Sequence, residues 1–148
     1  MDDIGFKIVA HGSDAYKQVV ELREEILRKP LGLSFSVEDL ESEKDYIHVA
    51  GYLNGRLCAT LMLVPKGDEV KMQRVAIRED VQQKGIGSKM LLFAEDYAKK
   101  QGYASIYCHA RDTAVPFYLK NDYNIEGDAF VEVGIVHYAM RKNLMGKI

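Results

Sequence analysis

The sequence predicts an α/β fold of the α+β type: a mixed, mostly antiparallel sheet of about seven strands with helices on both faces. Three observations carry that expectation. Asn54-Gly55 joins two alternating apolar stretches, and this dipeptide suits the two positive-φ positions of a tight hairpin. Apolar residues recur at helical spacing over 14–28 and again over 85–101. Between and after those helices the pattern returns to strands, so the unit 70–110 is expected to be a right-handed crossover between parallel strands.

The elements follow in order. Phe6, Ile8 and Ala10 alternate as a short first strand. Ser13-Asp14 supplies a helix N-cap, and Tyr16, Val19, Val20, Ile26 and Leu27 form the apolar stripe of a helix reaching Arg28. Lys29-Pro30 ends it, because a residue before proline avoids the helical region. Residues 31–35 read as an apolar loop, and Ser36-x-x-Asp39 as a capping box opening a short second helix. Strands follow at 46–53 and 56–64, then a turn at 65–68 and a third antiparallel strand at 70–77. That strand carries a phase error. Val70 and Met72 are two apart, but Val75 and Ile77 resume after a gap of three. A strand that changes face in mid-run predicts a β-bulge near Gln73-Arg74, with backbone groups left in need of partners. Residues 78–84 read as a polar loop. Ile86, Met90, Phe93, Ala94, Tyr97 and Ala98 mark one side of the helix 85–101, which Lys99-Lys100 and Gly102 close. A buried strand at 104–110 comes next. Asp112 caps a short helix through Lys120, with Pro116 in its first turn. Residues 123–131 and 134–140 form a last hairpin.

The 148 residues, 1–148, read as a single domain. The net charge of −2 argues against nucleic-acid or anionic-membrane binding, which asks for a basic excess. No apolar run approaches the ~18 residues of a membrane span. No secretory signal opens the chain, so a cytoplasmic protein is expected. Cys58 and Cys108 fall in strands and read as buried thiols of a reducing compartment. No spacing of Cys and His suits a metal, and none is expected.

Gln82-Gln83-Lys84-Gly85-Ile86-Gly87-Ser88 carries the strongest chemical signal. Gln-x-x-Gly-x-Gly is weak by itself, but here a bulged strand precedes it and an amphipathic helix follows. The start of that helix presents unpaired N–H groups and a positive dipole end, a site for an anion. Gly85 and Gly87 let the backbone approach a pyrophosphate, and Lys84 adds charge. The plainer reading is a helix-start loop whose glycines serve only its turn. The Gly-Lys-Ser/Thr of a P-loop and the Gly-x-Gly-x-x-Gly of a dinucleotide site are both absent. A second constellation is Ala114-x-x-Phe117-Tyr118-x-Lys120, followed by Asp122-Tyr123. A phenol at Tyr118 can donate a proton to a leaving thiolate. On spacing alone, a core aromatic is the simpler reading.

The element order, the Gln-x-x-Gly-x-Gly loop after Arg74-Val75-Ala76-Ile77, and Ala114-x-x-Phe117-Tyr118 together resemble the GNAT superfamily of N-acetyltransferases over nearly the whole chain. The resemblance implies acetyl-CoA as co-substrate, lying in a V-shaped gap between a splayed central parallel pair, the strands 70–77 and 104–110. It implies that the main chain of Val75, Ala76 and Ile77 pairs with the pantetheine arm like an added strand. It implies that Gln82 and the amides of Gln83, Lys84, Gly85, Ile86, Gly87 and Ser88 hold the pyrophosphate. Ala114 and Phe117 then border the co-substrate, and Tyr118 faces the thioester sulfur. Many members have Asn where this chain has Arg111, and Gly where it has Asp122. Arg111 would instead reach a CoA phosphate or an acidic acceptor.

The reaction so implied is direct attack of a primary amine on the thioester in a ternary complex, with the oxyanion at a main-chain N–H near Val75. The amine must first lose its proton. Some members carry a Glu for this on the bulged strand, where this chain reads Lys71-Met72-Gln73-Arg74. His137 and Glu132 on the last hairpin are the candidates, with Glu43 before the second strand. His11, His48 and His109 read as structural. Glu21, Glu24 and Glu25 with Arg23, Arg28 and Lys29 read as a solvated helix face. The acceptor is a small-molecule or peptide amine, its pocket expected from 27–43 and 126–134. A non-catalytic acyl-CoA-binding sensor is the alternative function, and a ligand-free interaction protein a third. A homodimer through the last hairpin is left undecided by the sequence.

Overall fold

The computed structural model describes residues 3–28 and 40–145. The apolar loop at 31–35 and the capping box Ser36-x-x-Asp39 lie outside them. Strands β1 (Ile4–Val9), β2 (Ile47–Leu53), β3 (Arg56–Lys66) and β4 (Glu69–Ile77) form an antiparallel meander. β5 (Ser105–Arg111) joins β4 in parallel. β7 (Ile135–Asn143) and then β6 (Asn124–Glu132) continue antiparallel, so one seven-stranded sheet runs β1-β2-β3-β4-β5-β7-β6.

Helix α1 (Asp14–Arg23) starts at Ser13, whose Oγ accepts the Tyr16 N–H at 3.1 Å, and passes into a π-helical turn, Glu24–Arg28. α2 (Ile86–Lys100) links β4 to β5, and α3 (Val115–Lys120) follows β5. The helices cover both faces of the sheet. Val49 and Ala50 are neighbours on β2, yet Val49 enters the larger core under α2 and Ala50 the smaller one under α1. In the larger core Ile86, Met90 and Leu91 of α2 are at most 1% exposed and pack with Leu61, Leu63, Val70 and Ile106. Each such aliphatic side chain contributes roughly 1.5–3 kcal/mol by leaving water.

Several expectations from the sequence need correction. Arg23, expected on a solvated face, is 1% exposed. Residues Glu79–Lys84 form a 3-10 turn rather than a loop. β3 continues through Pro65 and Lys66, two residues expected in the turn. β2 stops opposite Leu63, so Pro65 sits where the strand has one neighbour and tolerates its missing N–H. Arg111, rather than Asp112, is the N-cap residue of the turn before α3, and the Asp112 carboxylate takes the adjacent Thr113 N–H.

The phase error in β4 is a bulge, as expected. Thr60 pairs with Ala76 but Met62 pairs with Gln73, so Arg74 and Val75 both stand opposite Leu61. Arg74 takes φ +55°. The strand does not change face, however. Val70, Met72, Val75 and Ile77 all pack on the α2 core, because the extra residue restores the phase. On its other edge β4 is paired only before the bulge. Its parallel ladder with β5 consists of Glu69–Ser105, Val70–Ile106 and Lys71–Tyr107, and beyond Lys71 the two strands part.

Candidate active site

A cleft of about 780 Å³ opens where β4 and β5 separate. Val75 and Ile77 line it from β4, and Cys108, His109 and Arg111 from β5. Gln82, Gly85, Gly87 and Ser88 line it at the start of α2, and Ala114, Phe117 and Tyr118 at α3. Past Lys71 the main-chain groups of β4 on this side meet the cleft instead of a ladder. Other expected residues are placed differently. The side chains of Ala76 and Ile86 are buried, Ile86 in the α2 core, so only their main chains can serve a ligand. Lys84 is exposed and outside the lining, and Gln83 belongs to the turn before α2. Gln82 donates from Nε2 to the Ile77 carbonyl at 3.0 Å, pinning that turn to the end of β4.

Two glycines act in different ways. Gly85, the N-cap of α2, stands at φ +76°, a left-handed conformation that side chains disfavour. Gly87, which lines the cleft, also serves packing. A Cβ there would lie 2.9 Å from Ile77 Cδ1 and 3.2 Å from Phe117 Cζ, so its absence lets β4, α2 and α3 converge at the cleft. No side chain caps α2 and no carboxylate occupies its first turn, which leaves its first N–H groups open to an anion.

Tyr118 is 6% exposed, and its ring is flanked by Phe117 at 5.1 Å and Tyr123 at 5.5 Å. Its hydroxyl neighbours the Cys108 thiol. Burial pushes the phenol well above its usual range and the neighbouring thiol adds to this, so Tyr118 keeps its proton. Burial likewise pushes the Cys108 thiol up to about 12. Both cysteines are buried and free.

A second recess of about 410 Å³ adjoins the cleft. It shares Val75, His109, Arg111 and His137 with it and adds Lys71, Glu132 and Val133. His109 Nδ1 lies 3.0 Å from Glu132 Oε2, and His137 Nε2 lies 3.9 Å from Glu132 Oε1. His137 Nδ1 sits 2.8 Å from the Ile135 carbonyl. A carbonyl only accepts, so Nδ1 carries the proton and neutral His137 has its lone pair on Nε2. By the same reasoning the Glu132 carboxylate accepts His109 Nδ1–H and leaves that Nε2 bare. His109, expected to be structural, therefore belongs to the site. Strand alternation is the signal that finds it: Ile106, Cys108 and Ala110 turn into the core, while Tyr107, His109 and Arg111 turn the other way. Glu43, the remaining candidate base, lines neither recess. Arg23 Nη2 holds its Oε1 at 2.8 Å and Tyr16 Oη at 2.9 Å.

Residues 35–144 match the family model of the acetyltransferase (GNAT) domain. The chain belongs to the GNAT acetyltransferase family. The uncharacterized protein YyaT of Bacillus subtilis (strain 168) is 30% identical over 82 residues, 55% of this chain. The matching region spans 55%, about half, of that relative's length. A crystal structure of a "putative N-acetyltransferase" from Lactobacillus plantarum superposes with a TM-score of 0.82 at 26% identity, covering 97% of this chain and 99% of the other. An aminoglycoside 6'-N-acetyltransferase complexed with coenzyme A shares the fold with a TM-score of 0.81 at 15% identity, covering 97% of this chain and 99% of its own. Among the described residues no helix is long and apolar enough to cross a membrane.

Proposed function

We propose that this chain moves an acetyl group from acetyl-CoA to a primary amine by direct attack in a ternary complex. The observation that carries the reading is the parting of β4 and β5 beside the uncapped start of α2. The exposed edge of β4 suits the amide-bearing pantetheine arm as an added strand would. The first amides of α2 suit a pyrophosphate. Acetyl-CoA supplies the activated carbonyl, and the chain's own groups do the rest.

An imidazole of the pair bridged by Glu132 takes the proton of the acceptor ammonium, freeing the lone pair that attacks. The Glu132 carboxylate stabilises the imidazolium so formed. A main-chain N–H at the bulge, near Val75, receives the oxyanion. As the C–N bond forms and the C–S bond breaks, Tyr118 gives its O–H proton to the departing sulfur, and the extra proton on the attacking nitrogen returns to the phenolate, which leaves neutral amide, CoA thiol and an intact phenol. Its raised proton affinity does not disqualify it, because the same dry cleft raises that of the thiolate. Direct attack is favoured over a covalent relay through Cys108, since a thiol pushed up to about 12 supplies almost no thiolate at neutral pH. Two free buried cysteines agree with a reducing cytoplasm as the setting.

Release of CoA thiol from acetyl-CoA across a panel of amines tests the reaction. Thermal unfolding with CoA tests the site, where ligand at ~100 times its Kd adds about 2.7 kcal/mol. Stabilisation without thiol release from any amine would mark an acyl-CoA-binding sensor. No stabilisation at all would overturn both readings.

A further inference from the structure

We propose that the acceptor is a small amine that also carries an anionic group, a carboxylate or a phosphate, read by Lys71 and Arg111. This rests on the acetyl-transfer reading and narrows its substrate class. The chain carries a net charge of −2, yet the recess beyond the bulge has the opposite character. Lys71 and Arg111 line it against one carboxylate among its described lining residues, Glu132, and that carboxylate is engaged by His109. Neither Lys71 nor Arg111 forms an ion pair with a carboxylate among the described residues.

Register places the two cations on one face of the sheet, along one side of the recess. Lys71 stands opposite Tyr107 at the last paired position of β4 and β5, and Arg111 is four residues further along β5. Met72 of β4 and Ala110 of β5 pack in the α2 core, so Lys71 and Arg111 both project from the opposite face, the one that carries His109. A ligand amine beside His109 and His137 would therefore have two cations within the same recess for its anionic group. Lys71 separates this role from CoA binding, because it lines the second recess and not the cleft at α2, whereas Arg111 lines both. A recess of about 410 Å³ falls within the range of small-molecule sites, roughly 300–1,000 Å³. Polycationic amines meet repulsion there.

The test is kcat/KM by thiol release for matched amines: amino acids against their carboxamides, and amino sugars against their phosphates. The expected result is a preference of roughly tenfold or more for the acidic member of at least one pair, as charge-assisted bonds require. Which pair shows it distinguishes carboxylate from phosphate. Lys71→Gln should collapse that ratio through KM for the amine while KM for acetyl-CoA holds, and Lys71→Arg should restore it. Arg111→Gln should also lower the ratio. Turnover with equal or better use of the neutral amines, or an unchanged ratio in Lys71→Gln, overturns this proposal alone. CoA binding without turnover of any amine overturns the acetyl-transfer reading and this proposal together.

Discussion

Under α1, Glu43 is 2% exposed and holds Arg23 at 2.8 Å and Tyr16 at 2.9 Å. Beyond the bulge, on the same face of the sheet, Glu132 holds His109 at 3.0 Å with its own side chain 45% exposed. The two clusters use the same kinds of side chain, a carboxylate with histidine and aromatic neighbours. In the first, burial raises the Tyr16 phenol to about 12 and lowers the His48 imidazole. His48 Nε2 donates to the Glu43 carbonyl at 3.0 Å, and its Nδ1 is sealed without a partner. Glu43, Arg23, Tyr16 and His48 line neither the cleft nor the adjoining recess. In the second, each imidazole is fixed through Nδ1 and keeps Nε2 bare beside a recess. A sealed, dry set of polar groups holds elements together. A set with one open lone pair, wet on one side, can move a proton.

The largest effect is expected on the closed side. Glu43→Ala leaves Arg23 buried without its carboxylate and should cost about 3–5 kcal/mol in denaturant unfolding. The folded fraction should retain its kcat/KM for acetyl transfer, and a selective loss of turnover would erase the distinction between the clusters. The next largest effect belongs to the cleft. Tyr118→Phe should lower kcat by about 10²-fold or more with KM for acetyl-CoA nearly unchanged. Because its phenol stays protonated above the ordinary range, wild-type activity should show no alkaline limb from Tyr118 below pH 10, its unshifted value. Full turnover in Tyr118→Phe would return this residue to packing alone.

A smaller effect is expected on the open side. Glu132→Gln keeps the shape and removes the charge that stabilises an imidazolium, and partial exposure limits the loss to about tenfold in kcat/KM. Comparing kcat/KM of His109→Gln with that of His137→Gln shows which ring takes the proton. The smallest effect is a pH slope. His48 is folded as a neutral ring with its pKa depressed below 6.5, so the unfolded chain binds a proton first as pH falls. Its contribution to stability is present above pH 6.5 and lost as pH drops through the folded value. The slope is at most about 1.4 kcal/mol per pH unit. His48→Gln should flatten the acid side of a Tm-against-pH curve, and an unchanged curve would contradict the sealed cluster.

Local pattern accounts for the parts of the fold that are legible in the sequence. Asn54 and Gly55 adopt φ of 52° and 81°, as the hairpin dipeptide requires. The three-residue gap in β4 marks the bulge because spacing records strand phase directly. The same spacing misjudges its consequence, since only the pairing with β3 shows that the bulge keeps Val75 and Ile77 on one face. Arg23 and Glu43 are 20 residues apart in sequence, and no periodicity announces that a helix cation will meet a distant carboxylate in the dry interior. The packing role of Gly87 is not legible in the motif, because motif context cannot show that Ile77 and Phe117 crowd its missing Cβ. His109 is within reach of alternation alone, but a histidine in an apolar strand resembles a core residue until its partner Glu132 is placed 23 positions later.

Amide hydrogen exchange with and without CoA asks whether the parted strands and the uncapped helix bind coenzyme A. Exchange should slow in the unpaired stretch of β4 around Val75 to Ile77 and in the first turn of α2 after Gly85, with little change in the paired meander of β1 to β3. Protection confined to other parts of the sheet, or no change at saturating CoA, would show that coenzyme A does not lie in this cleft.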